Sequence, residues 1–134
     1  MQEILLTEDG LAVKKSLASF GSINIAIIFG SVAKNQATAQ SDLDTAINSL
    51  TPLSVEDIID NINALALATG RPIDLVDLRE VGEPLLGQIV QHGQWLIGTP
   101  TQKGALLSKH LIDAADFGPY RARILAERQR EWTR

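Results

Sequence analysis

Stretches in which apolar residues recur every three or four positions alternate along the chain with short runs of β-branched residues. A first helix is predicted between Thr7, which can cap it, and Gly21, which can end it. The apolar residues that recur there at loosely helical spacing are Leu11, Val13, Leu17 and Phe20. Ile23–Phe29 is then an apolar, β-branched run that stops at a Gly-Ser pair, which predicts a buried strand entering a turn.

The middle of the chain repeats this order. Leu43–Asn48 predicts a second strand. Ser54 followed by Asp57 resembles a capping box, and the apolar stripe behind it predicts an amphipathic helix that ends at Gly70-Arg71-Pro72. That stripe consists of Ile58, Ile62, Leu65 and Ala66.

The carboxyl-terminal half continues with two more strands and three more helices. Ile73–Leu78 predicts a third strand, Pro84–Gln91 a short helix and Trp95–Ile97 a fourth strand. Gly118-Pro119 separates two final helices, over about Lys103–Ala115 and Tyr120–Trp132. The predicted fold class is therefore α/β, with a small sheet flanked by helices and with C-terminal helices. The pattern does not predict the order of the strands.

The amino-acid composition limits the kinds of metal site and nucleophile that the chain can contain. The 134 residues are 45% hydrophobic, which is enough for one domain with its own core. Without cysteine there is no disulfide, no thiol nucleophile and no cysteine-bound zinc, so a metal ion must be bound by oxygen or by the two histidines. Oxygen ligands favour Mg²⁺ or Mn²⁺.

Charge and hydropathy bear on location and partners. The amino terminus has no secretory signal pattern and no apolar run is long enough for a membrane span, so we expect a cytoplasmic protein that does not bind membranes. A net charge of −4 argues against direct nucleic-acid binding. The segment Tyr120–Arg134 is the exception, with five arginines and two glutamates. Its apolar residues predict packing either on a protein partner or on its own domain.

The most informative segment joins a Gly-Ser turn to a pair of aspartates. Gly30 allows a close approach of backbone to a ligand, and Ser31 lies where a short helix can begin, so N–H and hydroxyl groups can face a phosphate. After ten intervening residues come Asp42 and Asp44, which leave the same face of a predicted strand and can converge on one cation. Carboxylates together with phosphates and water suit Mg²⁺.

This segment closely resembles the Gly-Ser-x10-Asp-x-Asp signature of the DNA polymerase β-like nucleotidyltransferase superfamily, and the short chain resembles its minimal nucleotidyltransferase (MNT) branch. The resemblance covers about Ile23–Leu78. It implies a nucleotidyltransferase fold with a mixed sheet over residues 1–100, and a helical extension of the same domain over residues 101–134. The implied nucleotide-binding residues are Gly30, Ser31, Lys34 and Ser41. Many relatives have Arg-Gly where this chain has Lys34-Asn35, which predicts a different triphosphate affinity or base preference.

The resemblance also implies two Mg²⁺ ions held by Asp42, Asp44 and a third carboxylate on a neighbouring strand. Two candidates exist, and because Asp74 and Asp77 are an odd number of residues apart, they leave opposite faces of a regular strand. Asp74 has the position that the family pattern favours, whereas Asp77 is near the strand end, where a capping or solvated role is typical. We therefore predict Asp42, Asp44 and Asp74 as the catalytic, metal-binding residues.

For the MNT branch the resemblance implies an antitoxin that transfers AMP from ATP to a tyrosine of a partner HEPN-domain ribonuclease toxin, within a hetero-oligomer. Two alternatives stay open at this stage. One is an antitoxin that acts by binding alone, and the other is a nucleotidyltransferase for a small molecule or RNA. The histidines, His92 at a predicted helix end and His110 within a helix, are interpreted as structural.

Overall fold

The computed structural model describes residues 8–34, 37–38 and 40–115. In this part of the chain helices and strands alternate, as the sequence predicts. The elements are α1 (Glu8–Ala18), β1 (Ile23–Phe29), α2 (Gly30–Ala33), β2 (Leu43–Ser49), α3 (Val55–Thr69), β3 (Ile73–Asp77), α4 (Leu85–His92), β4 (Gln94–Ile97) and α5 (residues 100–115). The predicted helix over Tyr120–Trp132 and the predicted cap Thr7 lie outside the described residues.

The four strands form one sheet in the order β3-β2-β1-β4. Strand β1 pairs antiparallel with both β2 and β4, whereas β2 and β3 are parallel. The sheet is therefore mixed, and the predicted α/β class with flanking helices is confirmed. Strand β2 lies between β1 and β3, so residues at its amino-terminal end adjoin the end of β1 and the start of β3.

Apolar side chains alternate between the two faces of the sheet. On one face Ile28 and Ile47 pack with residues of α1 and α3, including Leu65. On the other, Ile27 and Ala46 pack with residues of α4 and with Leu106 of α5. We call these the α1/α3 face and the α4 face. Asp44 lies two residues before Ala46 and belongs to the α4 face.

Helix α3 begins and ends as its sequence predicts. Ser54 Oγ accepts a hydrogen bond from the Asp57 backbone N–H (3.1 Å), and Asp57 Oδ2 accepts one from the Ser54 N–H (3.0 Å), which completes a capping box. Gly70 closes the helix in the left-handed conformation at φ 70°. Both ends are therefore determined by local sequence.

Helix α4 lies one residue later than predicted, and two other helix boundaries differ from the prediction by more than one residue. Helix α1 ends at Ala18 rather than at Gly21, because Ser19 donates both its backbone N–H (3.3 Å) and its hydroxyl (2.6 Å) to the Ser16 carbonyl oxygen. Helix α5 begins at residue 100, since Thr99 and Gln102 form a second capping box (3.2 and 2.8 Å). The Thr-Pro-Thr-Gln sequence, with proline at the first helical position, is the signal that could have predicted this start.

Helix α5 is attached to the α4 region by a buried polar contact. His110 Nδ1 lies 2.6 Å from Glu83 Oε1, and both side chains are nearly inaccessible to water. His110 Nε2 also lies 3.2 Å from Gln91 Nε2. His110 is thus a structural residue, as predicted.

No helix in the described part of the chain is both long and apolar enough to cross a membrane.

Candidate active site

Gly30 brings the end of β1 against the side chain of Asp44. Phe29, the last residue of β1, is the register partner of Asp44 on β2. The chain then turns into α2 through Gly30 at φ 73°, in the left-handed region. A Cβ atom on Gly30 would overlap the Asp44 carboxylate. Both the backbone angle and the close approach therefore require glycine.

Replacing Gly30 with alanine is expected to destabilise the fold more than the same change at Gly70. Both glycines have φ near 70°, which costs an alanine about 1–2 kcal/mol, but no atom lies within 4 Å of a Cβ built at Gly70. The overlap at Gly30 should add about 1–3 kcal/mol to the free energy lost. Denaturant unfolding of G30A and G70A measures the difference. Equal losses would show that the Asp44 carboxylate moves aside freely.

Asp44 and Asp74 meet side by side on neighbouring strands. They are direct register partners in the parallel pair of β2 and β3. The pKa of Asp44 is raised from its ordinary value, mainly by burial, then by the charge and hydrogen bond of Asp74, and last by the charge of Asp42. The structure thus brings Asp44 and Asp74 together, and the catalytic and metal-binding roles of Asp42, Asp44 and Asp74 stay predictions.

Asp42 and Ser41 precede β2 in a segment with its own hydrogen bonds. Ser41 Oγ accepts a bond from the Thr38 backbone N–H (2.9 Å), and the Ser41 N–H bonds to the Thr38 carbonyl oxygen (3.1 Å). The Asp42 side chain is exposed. In the structure the Ser41 hydroxyl supports the backbone next to Asp42, and the nucleotide-binding role of Ser41 stays a prediction.

Asp77 has a local role on the other side of the sheet. Its Oδ1 accepts a hydrogen bond from the Arg79 backbone N–H (3.0 Å), which stabilises the turn after β3. Asp74 is the register partner of Asp44, and alternation turns Asp77, the partner of Ile47, toward the α1/α3 face. Asp74 is therefore the aspartate of β3 that faces the site.

A cleft of about 170 Å³ opens beside Asp44 on the α4 face of the sheet. Its lining residues are Phe29, Gly30, Lys34, Asp44, Gln88 and His92. Ser31 lies in the short helix α2, and Lys34 follows that helix. The Lys34 side chain contributes a positive charge to the cleft. Gln88 and His92 are not among the site residues predicted from the sequence. Their spacing of four residues, which puts them on one face of α4, is the signal that could have indicated it.

The donor chemistry of this site fits a divalent cation. Asp44 and Asp74 offer carboxylate oxygens at paired positions on neighbouring strands, and a positive ion would relieve the repulsion that Asp74 and Asp42 exert on Asp44. Within residues 8–34, 37–38 and 40–115, no three acidic or histidine side chains form a ready metal-binding group. Mg²⁺ commonly binds through one or two carboxylates and completes its coordination with substrate phosphates and water. The two adjoining aspartates meet that requirement.

The chain belongs to the polymerase β-type nucleotidyltransferase family. The family described as "Polymerase beta, Nucleotidyltransferase" matches residues 12–102, which include α2, the aspartates and α4. None of the curated proteins matches the chain. The Gly-Ser turn and the paired aspartates therefore lie within a nucleotidyltransferase domain.

Solved structures of toxin–antitoxin complexes share this fold. A chain of a toxin–antitoxin complex with AMP-PNP has a TM-score of 0.79 and 24% identity over 90% of this chain and 98% of its own. A chain of a tri-AMPylated HEPN toxin from Shewanella oneidensis in complex with an MNT antitoxin gives 0.74 and 23%, over 90% and 96%. A variant MntA toxin–antitoxin complex gives 0.73 and 27%, over 86% and 93%. The chain is thus similar in fold to proteins of MNT–HEPN complexes.

Proposed function

We propose that this protein is an antitoxin that transfers AMP from ATP to a tyrosine of a partner HEPN-domain toxin. The observation that carries the proposal is Asp44, which lines a cleft together with Gly30 and Lys34 and lies beside its register partner Asp74. The similarity in fold to an MNT antitoxin complex, in which the HEPN toxin is tri-AMPylated, supports this acceptor. The proposal includes a cytoplasmic location and a hetero-oligomer with the toxin.

The proposed reaction is an in-line displacement at the α-phosphorus of ATP. The tyrosine oxygen forms a bond to the α-phosphorus, the bond from that phosphorus to the bridging oxygen breaks, and pyrophosphate leaves with the electron pair. Asp42, Asp44 and Asp74 would hold two Mg²⁺ ions, which supply positive charge to the phosphates when bound.

The protein's own groups position the reactants and move the proton. Lys34 meets a phosphate as a point charge. Backbone N–H groups at Gly30 and Ser31 orient the triphosphate, since the glycine leaves room for a close approach. The tyrosine proton passes to Asp74, which is the more exposed of the two adjoining carboxylates.

Transfer of an adenylyl group tests this function directly. The full chain is incubated with Mg²⁺, ATP and a HEPN toxin. The toxin is either that of Shewanella oneidensis or a HEPN protein whose gene lies next to the gene for this chain. We expect label from the α-phosphate of ATP, and none from the γ-phosphate, to appear on a toxin tyrosine located by mass spectrometry. EDTA should abolish the labelling.

Two outcomes would contradict the proposal. Neutralisation of the toxin without labelling, unchanged by EDTA, would identify an antitoxin that acts by binding alone. Labelling of RNA or of a small molecule, with the toxin unmodified, would identify a nucleotidyltransferase for another acceptor.

A further inference from the structure

Arg71 links three segments of the chain beside the proposed metal site. Its Nε lies 3.2 Å from Asp9 Oδ2 of α1. Its Nη1 donates hydrogen bonds to the carbonyl oxygens of Thr38 (2.6 Å) and Ser41 (3.1 Å). The Arg71 side chain is 15% exposed, and its bonds to Asp9 and Ser41 are partly buried. Arg71 itself lies two residues before β3, the strand that contains Asp74.

The bonds of Arg71 reach the backbone on one side of Asp42. The Ser41 carbonyl belongs to the peptide group that joins Ser41 to Asp42, and Arg71 holds it. On the other side, the Leu43 N–H donates to the carbonyl oxygen of Pro72 (2.8 Å). Both peptide groups of Asp42 are therefore bonded to two consecutive residues, Arg71 and Pro72, at the entry to β3.

Asp42 needs such support more than the other two aspartates do. Asp44 and Asp74 lie within paired strands, where the sheet fixes their backbone. Asp42 precedes β2 and has an exposed side chain. A metal ligand must be held to within about 0.5 Å of its working position by its neighbours. The guanidinium supplies this support because its planar set of N–H groups can bond a carboxylate and two carbonyls at once.

We propose that Arg71 is a positioning residue that places Asp42 for divalent-cation binding. The inference rests on the proposed metal-dependent function. Arg71 touches neither substrate nor metal and acts through the Ser41 peptide group. Asp9 holds the guanidinium in place, so α1 also contributes to the geometry of the site.

The test measures cation binding separately from transfer. Mn²⁺, which takes the same oxygen ligands as Mg²⁺, is titrated into the full chain without nucleotide and followed by electron paramagnetic resonance. We expect Arg71→Ala to weaken Mn²⁺ binding by about 10-fold or more, the effect typical of removing a group that orients a metal ligand. In the transfer assay, the Mg²⁺ concentration for half-maximal rate should rise by a similar factor, with most of the rate recovered at saturating Mg²⁺.

Arg79 provides a matched control. Its Nη2 also donates to two backbone carbonyls, those of Ser49 (2.7 Å) and Leu50 (3.1 Å), but at the opposite end of β2. Arg79→Ala should leave Mn²⁺ binding unchanged. An equal weakening in R71A and R79A would indicate a general loss of stability and would overturn the proposal. Unchanged binding in a folded R71A would overturn it as well.

Arg71→Lys is the second variant, because it keeps the charge and is expected to fold even where the alanine variant does not. A lysine cannot reproduce the three bonds. We therefore expect R71K to bind Mn²⁺ more weakly than the wild type, by a factor of up to about 10. Wild-type binding in R71K would show that charge alone matters, which contradicts a positioning role.

The outcomes separate this inference from the proposed function. If the wild type binds Mn²⁺, R71A binds it more weakly and no AMP is transferred, the positioning role holds and the proposed function fails. If AMP is transferred and R71A binds Mn²⁺ like the wild type, the function holds and the positioning role fails. A wild type that binds no Mn²⁺ would overturn the positioning role.

Discussion

Asp44→Asn is expected to reduce AMP transfer by at least about 100-fold, because it removes a charged carboxylate from the proposed metal site. Changes in groups that merely orient a metal ligand already cost about 10-fold to 100-fold. Asp44 interacts electrostatically with both Asp42 and Asp74, and its carboxylate adjoins Gly30. Initial rates with labelled ATP, at several Mg²⁺ concentrations, measure the loss. Transfer near the wild-type rate would show that the metal site is assigned wrongly.

The same substitution should raise the melting temperature of the metal-free protein at neutral pH. The pKa of Asp44 is raised in the folded state, so the folded protein binds this proton more tightly than the unfolded chain. This tighter proton binding stabilises the folded protein at acidic pH, below the pKa of Asp44 in the unfolded chain. The stabilisation is lost as the pH rises through the pKa of Asp44 in the folded protein. Ionisation of Asp44 therefore opposes folding, and asparagine removes that charge.

Melting curves in EDTA, recorded from acidic to neutral pH, test whether ionisation of Asp44 destabilises the fold. D44N should melt above the wild type at neutral pH, and the difference should shrink as the pH falls and Asp44 of the wild type takes up its proton. A D44N protein that melts below the wild type throughout would show that the Asp44 carboxylate stabilises the fold.

Asp74→Asn and Asp77→Asn are expected to differ sharply, although only two residues separate the changed positions. D74N should lose about 100-fold or more in transfer, since Asp74 is the register partner of Asp44 and faces the same side of the sheet. D77N should stay within about twofold of the wild type, because substitutions away from a site usually change free energies by less than about 0.5 kcal/mol.

Asp77→Asn is also a conservative control for the fold. The asparagine side-chain oxygen can accept the same bond from the Arg79 N–H, so the turn after β3 should persist. Circular dichroism and melting temperature establish that both variants are folded before rates are compared. Equal losses of transfer in D74N and D77N would mean that Asp74 has no special role.

Local sequence determined much of the fold. The apolar run Ile23–Phe29 forms β1 with the predicted bounds, and Ser54, Asp57 and Gly70 define both ends of α3. These features depend on residues close together in the chain, on periodicity and on caps, which sequence alone displays. Strand alternation likewise assigns Asp74 and Asp77 to opposite faces from their spacing alone.

Only the tertiary structure decided how these parts meet. The strand order, the register that sets Asp44 against Asp74, and the approach of Gln88 and His92 to the cleft join residues far apart in sequence. Arg71 is the clearest case, because its partners Asp9, Thr38 and Ser41 lie 62, 33 and 30 residues away. The sequence therefore determined which carboxylates could share a face, while long-range pairing and packing decided which of them meet and which residues hold them in place.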